Sequence, residues 1–368
     1  MRICFLLPSN TISGGIFTVF KHASALGRKG HEVTIAFMLE EREYRRSIFD
    51  AMEGVQLKSF REAASCGRYD LVVATWWETI FLLPQIEAEH ILYFVQGFED
   101  RFYPDSSPAA RLVRSTFSYG DKINYATVSH ALSHRLKRDY GIGAAVIPCG
   151  IDLELFSTAR PAMSKRDKLR VMVEGLPNEE RKQVRFTLEL LSRFDNLEVV
   201  YVSAGGKPDY DASIDYFFQS VPHRQMPSLY KSCDFIVKLS DTESFALPVL
   251  EMFATGGTAV VSEFPGHEEY IHHGENALVV PVRDADATED AIRRLLSEPE
   301  LLPSLKAHAL AESHRWDLRR STTSFINLVE GIFDGSKTAG NSGGGTGAIQ
   351  GISTNFDAYQ RYEHRLKY

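Results

Sequence analysis

Phe235-Ile236-Val237-Lys238-Leu239, followed almost at once by Asp241-Thr242-Glu243-Ser244-Phe245-Ala246-Leu247-Pro248-Val249-Leu250-Glu251, reads as a buried strand that opens through a polar turn into a helix. Pro248 suits the first position of that helix, because its fixed φ is helical and its missing N–H is one the first turn leaves unpaired anyway. The amides of Phe245, Ala246 and Leu247 can then point into a crevice at the carboxyl end of the strand, where open parallel sheets bind ligands, with Glu251 in the first helical turns. In that geometry Glu251 can accept from ribose hydroxyls and Glu243 from hydroxyls of a sugar, while the amides between them bind diphosphate oxygens. Taken singly, Glu251 also reads as a helix-dipole partner and Glu243 as an exposed loop charge.

Outward from this stretch, short apolar runs alternate with helical patterns along the chain, the sign of strand-helix-strand units around parallel sheets. Residues 3–7, 33–37, 71–75, 91–95 and 126–129 read as strands buried on both faces, since they lack the polar alternation of a half-exposed sheet. The pattern restarts at 169–173, 197–202, 214–219, 235–239, 258–262 and 277–280, with helices expected at 183–194 and 318–333. With 368 residues, 44% of them apolar, the chain is long enough for two cores. The polar stretch 157–168 is read as the linker, giving α/β domains over 1–157 and 158–333. Beyond them, 334–355 is Gly-rich and expected to be a flexible linker. Residues 356–368 place Phe356, Tyr359, Tyr362 and Leu366 at helical spacing, a short amphipathic helix that docks on the body of the protein, on a partner or on a membrane surface, or a frayed end.

Composition limits the partners. The formal net charge of −7 supplies no global positive field, so nucleic acid is not expected and an anionic ligand must be held locally. No apolar run reaches the roughly 18 residues of a membrane span. No export signal is visible at the start, and Cys4, Cys66, Cys149 and Cys233 are scattered, so a cytoplasmic protein without disulfides or zinc is expected, with contact at the inner face of the membrane left open. Asp209-Tyr210-Asp211 has the spacing of a metal-binding DXD but sits in a polar turn, so no metal is expected. Ser13-Gly14-Gly15, before a helical pattern at 16–28, offers a close backbone approach and a helix start to a phosphate, or is a ligand-free turn.

The segment E-S-F-A-L-P-V-L-E, with two acids eight apart, followed by Met252 to Val261, resembles the E-x7-E and A-x-G-x-P-V-V segments of GT-B glycosyltransferases of the retaining family 4 type. Ile147-Pro148-Cys149-Gly150-Ile151-Asp152 is similar to that family's interdomain stretch, and Ser13-Gly14-Gly15 to its N-terminal glycine loop. The resemblance implies two Rossmann-like domains with parallel sheets facing across a cleft, and transfer of a sugar from a nucleotide diphosphate sugar to an acceptor hydroxyl of a glycan or lipid-linked glycan. It also implies roles. Glu251 binds the ribose; Glu243, Ser244, Phe245, Ala246 and Leu247 bind the sugar and diphosphate; Gly14 and Gly15 cap the diphosphate; Lys182 is the phosphate-binding lysine. A fixed ammonium with amide donors stabilises a leaving diphosphate without a metal or other cofactor.

Two departures stand out. Gly175 is followed by Leu176 where the family has arginine, so Arg181 is the candidate replacement, although Arg181 and Lys182 also read as a solvated helix start. Gln96 stands where many members carry a histidine facing the sugar, and glutamine can orient a substrate but cannot move a proton near neutral pH. The same stretch, F-V-Q-G-F-E-D-R-F-Y-P, resembles that of bacterial rhamnosyltransferases, which implies dTDP-rhamnose as donor and surface polysaccharide as product. Trp76, Trp77 and His130 are acceptor-binding candidates, each with an alternative as core or cap. The missing histidine and arginine also motivate another expectation, a catalytically silent GT-B module that scaffolds glycan assembly.

Overall fold

A computed structural model describes residues 1–9, 13–39, 54–164, 167–335 and Tyr359. The chain divides into two compact units, residues 1–148 with 321–368, and residues 149–320. Among the described residues the first unit contains β1 Arg2–Ser9, β2 Glu32–Leu39, β3 Val55–Ser59, β4 Tyr69–Ala74, β5 Ala88–Val95, β6 Asn124–Thr127 and β7 Ala145–Val146, in the sheet order β3-β2-β1-β4-β5-β6-β7. The second contains β8 Leu169–Glu174, β9 Leu197–Ser203, β10 Tyr216–Gln219, β11 Phe235–Lys238, β12 Thr258–Ser262 and β13 Leu278–Val280, ordered β10-β9-β8-β11-β12-β13. Every pairing is parallel.

The sequence pattern explains the burial. Ile3 to Leu7 are at most 1% exposed and β9 is buried throughout, as strands covered on both faces require. In each sheet the connections wind outward from the middle in both directions, so the order reverses between β1 and β4 and between β8 and β11. At such a switch the loops leaving neighbouring strand ends part and open a crevice at the carboxyl edge. That places the informative segment, which leaves β11 beside the end of β8, at the second unit's crevice.

The expected linker at 157–168 does not divide the units, and 318–333 does not stay wholly with the second. The division falls between Pro148 and Cys149, and just inside the second unit the chain is tightly packed: a Cβ on Gly150 would lie 2.7 Å from the Leu318 Cα, and the neighbouring Ile151 exchanges backbone hydrogen bonds with Trp316 and Leu318 at 2.9 and 2.8 Å. From Ser321 onward the helix Leu318–Phe333 completes the first core. The fully buried Phe325 lies 5.9 Å from Phe5, 5.4 Å from Phe94 and 4.4 Å from the His22 ring, centroid to centroid. A buried phenyl ring contributes about 1.5–3 kcal/mol, enough to draw the last helix back to the first unit. The Gly-rich segment and the C-terminal segment lie outside the described residues apart from 334–335 and Tyr359, which is buried against Phe81 with their rings stacked at 5.0 Å.

Candidate functional site

At the carboxyl edge of the second sheet, four charged side chains alternate in sign. Lys182, from the turn Glu180–Lys182, donates to Glu243 Oε1 at 2.7 Å, and the Ser240 hydroxyl donates to the same oxygen at 2.8 Å. Lys238, the last residue of β11, lies 3.7 Å from that oxygen and donates to Glu174, at the end of β8, through both the carboxylate (2.9 Å) and the main-chain carbonyl (3.1 Å). Burial alone would raise the Glu243 pKa, but Lys182 and Lys238 overcome it and hold the carboxyl at about 2. Burial lowers the Lys182 pKa against the pull of Glu243, whereas Glu174 and Glu243 outweigh burial at Lys238 and raise it. The set pairs two lysines with two carboxylates.

Local backbone chemistry builds this cluster. Gly175 has φ +147°, and a Cβ there would come within 2.9 Å of Val184 Cγ2, so only glycine lets the chain turn from β8 toward Lys182. The Asp241 amide donates to the Arg181 carbonyl at 2.8 Å, and its carboxylate takes Arg283 at 2.6 and 3.0 Å and Gln183 at 3.0 Å, tying the lysine-bearing turn to the loop after β11. Arg181 itself pairs with Glu179.

The loop then turns through Ala246 at φ +53°, ψ +57°, and its carbonyl accepts from the Tyr270 hydroxyl at 2.8 Å. Phe245 is packed inward, 5.0 Å from the Tyr270 ring and 5.1 Å from that of Trp316, so it can offer a ligand its amide rather than its ring. The helix Leu247–Ala254 carries Pro in its first turn, and no side chain caps it. Pro248 has no N–H and the Val249 amide donates to the Ala246 carbonyl at 3.0 Å, so the donors that suit an anion here are the amides that precede Pro248. Glu251, one turn inside this helix, is 7% exposed and lies 3.5 Å from His223 Nε2.

The first unit's edge is organised differently. Gln96 follows β5 and donates to the Thr75 carbonyl at 3.3 Å, while Thr75 Oγ1 donates to the Leu6 carbonyl at 2.7 Å, so the ends of β1, β4 and β5 are linked. Gly14 and Gly15 open the helix Gly14–Arg28, capped by Ser13, rather than preceding it; a Cβ on Gly15 would lie 3.4 Å from Gln96 Oε1. Trp76 is half-buried, stacked on Phe102 at 5.9 Å, with its indole N–H donating to Glu78 at 3.0 Å. Trp77, in contrast, is 1% exposed between Phe81, Tyr103 and Tyr359, which makes it core and corrects its assignment as an acceptor contact. His130 is exposed at the first position of the helix His130–Tyr140.

Three residues at these edges escaped the sequence reading: Lys238, Glu174 and Glu99. Glu99 is buried, with Oε2 accepting from the Trp77 amide at 2.8 Å and the Tyr93 hydroxyl at 3.3 Å, and burial pushes its pKa up to about 8. It lies inside the quoted F-V-Q-G-F-E-D stretch, yet only the fold reveals that this acid points inward. Among the described residues no group of His, Cys, Asp and Glu could hold a metal ion; Asp209 and Asp211 are exposed. The four cysteines form no disulfide, and no described helix is long and apolar enough to cross a membrane.

Comparison with known proteins finds a family match inside the second unit and likenesses that extend over most of the chain. Residues 215–311, which include Lys238, Glu243 and Glu251 but not Lys182, match the family Glycosyl transferases group 1. The chain is 25% identical to the O-antigen biosynthesis protein RfbC of Myxococcus xanthus, over 73% of this chain and 22% of that protein. It is 26% identical to the phosphatidyl-myo-inositol mannosyltransferase of Mycolicibacterium smegmatis, over 52% of this chain and 53% of that one. The chain thus spans from about a fifth to about half the length of these relatives. Among solved structures, Anabaena HepE in complex with UDP-glucose superposes with a TM-score of 0.74 at 15% identity, over 90% of this chain and 99% of that chain. Residues 215–311 therefore match the group 1 glycosyl transferases within a chain of GT-B fold.

Proposed function

We propose that this protein is a retaining glycosyltransferase of the family 4 type that moves a sugar from a nucleotide diphosphate donor to an acceptor hydroxyl in bacterial surface polysaccharide synthesis. The observation that carries the proposal is the Lys182–Glu243 pair beside the uncapped start of the helix Leu247–Ala254. An ammonium and a row of amide donors suit the charge that grows on a departing diphosphate, and they do so without a resident cofactor or metal.

In this reading the diphosphate meets Lys182 and the amides of Ser244 to Leu247, with Arg181 adding positive charge from the same turn. Glu251 accepts from the sugar hydroxyl of the nucleoside, and Glu243 orients the donor sugar. Gly14 and Gly15 are carried over from the family's glycine loop as diphosphate contacts of the first unit. Gln96 orients a sugar hydroxyl, Trp76 offers an aromatic face to the acceptor, and His130 is a further acceptor candidate. No dedicated catalytic base is assigned among these groups; in this reading the leaving phosphate takes the acceptor proton, and positioning contributes most of the rate. The segment from Phe94 to Pro104 favours dTDP-rhamnose, in which case Glu251 meets a 3′-hydroxyl. Work on a surface glycan fits a cytoplasmic protein operating at the inner face of the membrane.

The experiment is incubation with UDP-, GDP- and dTDP-sugars and a lipid-linked glycan acceptor. Release of nucleoside diphosphate together with an extended glycan is the expected outcome. Binding without turnover would favour the silent scaffold instead.

A further inference from the structure

A lysine at the end of a buried strand is expensive unless its charge is needed. Lys238 is 2% exposed, and its ammonium is fixed by both the side chain and the main chain of Glu174 while standing 3.7 Å from Glu243 Oε1. Lys182 grips the same oxygen at 2.7 Å, but it comes from a short turn, and its side chain keeps 17% of its exposure. The two cations are therefore unequal: one is anchored in the sheet and the other stands at the rim, where an anion would arrive.

Resting on the functional reading above, we propose that Lys238 is a positioning residue that keeps Glu243 ionised and held in place while Lys182 turns to the diphosphate. A diphosphate brings negative charge close to a buried carboxylate and competes for its nearer counter-ion. Without a second cation, Glu243 would take up a proton and lose its power to accept two sugar hydroxyls. Lys238 cannot follow Lys182 toward the ligand, because Glu174 holds it. The groups whose charge acts on Glu243 are Lys182 and Arg181 from the turn and Lys238 from β11, with Tyr270 beyond the loop, and Glu174 anchors Lys238 from β8. Of the three cations, Lys238 alone stands at a strand end and is held there by the end of a neighbouring strand.

The test follows the Glu243 carboxyl by carbon-13 NMR during pH titration of the full chain, assigned with Glu243→Gln, in wild type, Lys182→Met, Lys238→Met and Lys238→Arg. Thermal melting checks that each variant is folded. The expected results are a Glu243 pKa that stays about one unit or more below the ordinary carboxylate value in Lys182→Met, rises by about one unit or more in Lys238→Met, and stays low in Lys238→Arg. With saturating UDP or dTDP, the gap between wild type and Lys238→Met should widen. An ordinary or raised value in Lys182→Met would overturn the proposal, as would a Lys238→Met titration that matches wild type. Should Lys238→Met fail to fold, the Lys182→Met titration decides alone. If no nucleoside diphosphate binds wild type, the functional reading falls, while the titrations without ligand still decide the role of Lys238.

Discussion

The carboxyl edges of the two sheets are built on the same plan and filled with opposite chemistry. In the second unit, strand and turn ends bring Glu174, Lys182, Lys238 and Glu243 together as a balanced ionic row. In the first, the corresponding edge carries an amide, a half-buried indole and a buried carboxyl pushed toward its neutral form. An edge with two lysines suits an anionic diphosphate, whereas an edge with a side-chain amide and an indole face suits a sugar, which offers hydroxyls and apolar faces. The contrast teaches that topology decides where a ligand can bind, and strand-end side chains decide what kind.

The sharpest way to break this contrast is to remove charge from the second edge. Lys182→Ala should lower kcat/KM by about 100- to 1,000-fold, the cost of losing one preorganised donor to a developing anion, while circular dichroism shows the fold intact. A smaller loss, about 10- to 30-fold in donor affinity, is expected for Glu251→Gln, since a charged acceptor to a hydroxyl becomes a neutral one. Titration with the free nucleoside diphosphate checks it.

The pH response separates the two edges further. Because Glu99 has a pKa raised to about 8, the folded first unit binds more protons than the unfolded chain, so its stability falls as pH rises from the ordinary glutamate range toward 8. Glu243, held at about 2, does the reverse: its contribution is present above the ordinary value and is lost as pH falls toward 2. Hydrogen exchange resolved by unit should show slopes of opposite sign, of at most about 1.4 kcal/mol per pH unit from each group. Glu99→Gln should flatten the first. The smallest effect belongs to Trp76→Ala, where loss of one half-exposed aromatic face should raise the acceptor KM by about fivefold and leave the donor KM unchanged.

How much of this was legible before the fold depends on where each residue's signal lies. β1, β4, β5, β11 and β12 were readable because both of their faces are buried and they carry apolar runs of three or more residues, and β8 and β9 are each interrupted only by one member of the buried Arg170–Glu198 pair. β3 was not, since Val55-Gln56-Leu57-Lys58-Ser59 is an edge strand with polar residues in alternate positions, and the two-residue β7 leaves no pattern. The unit boundary was misplaced because polarity marks exposed linkers, whereas the observed crossing is tight and packed at Gly150. At the second edge, Glu243 and Glu251 were expected from the strand-turn-helix pattern and Lys182 from the family resemblance. Lys238 escaped because a lysine ending an apolar run reads as the strand reaching water, and its true surroundings, Glu174 and Glu243, come from two other segments of the chain. Glu99 escaped for the same reason in mirror image: an acid in a loop reads as solvated until Trp77 and Tyr93 close over it.

The measurement that tests the central claim most directly is titration calorimetry of wild type and Lys182→Ala with UDP, GDP and dTDP. The account predicts saturable binding of at least one of the three by wild type, weakened at least about tenfold in the variant. Saturable binding that Lys182→Ala leaves unchanged, or no binding of any of the three, would contradict it.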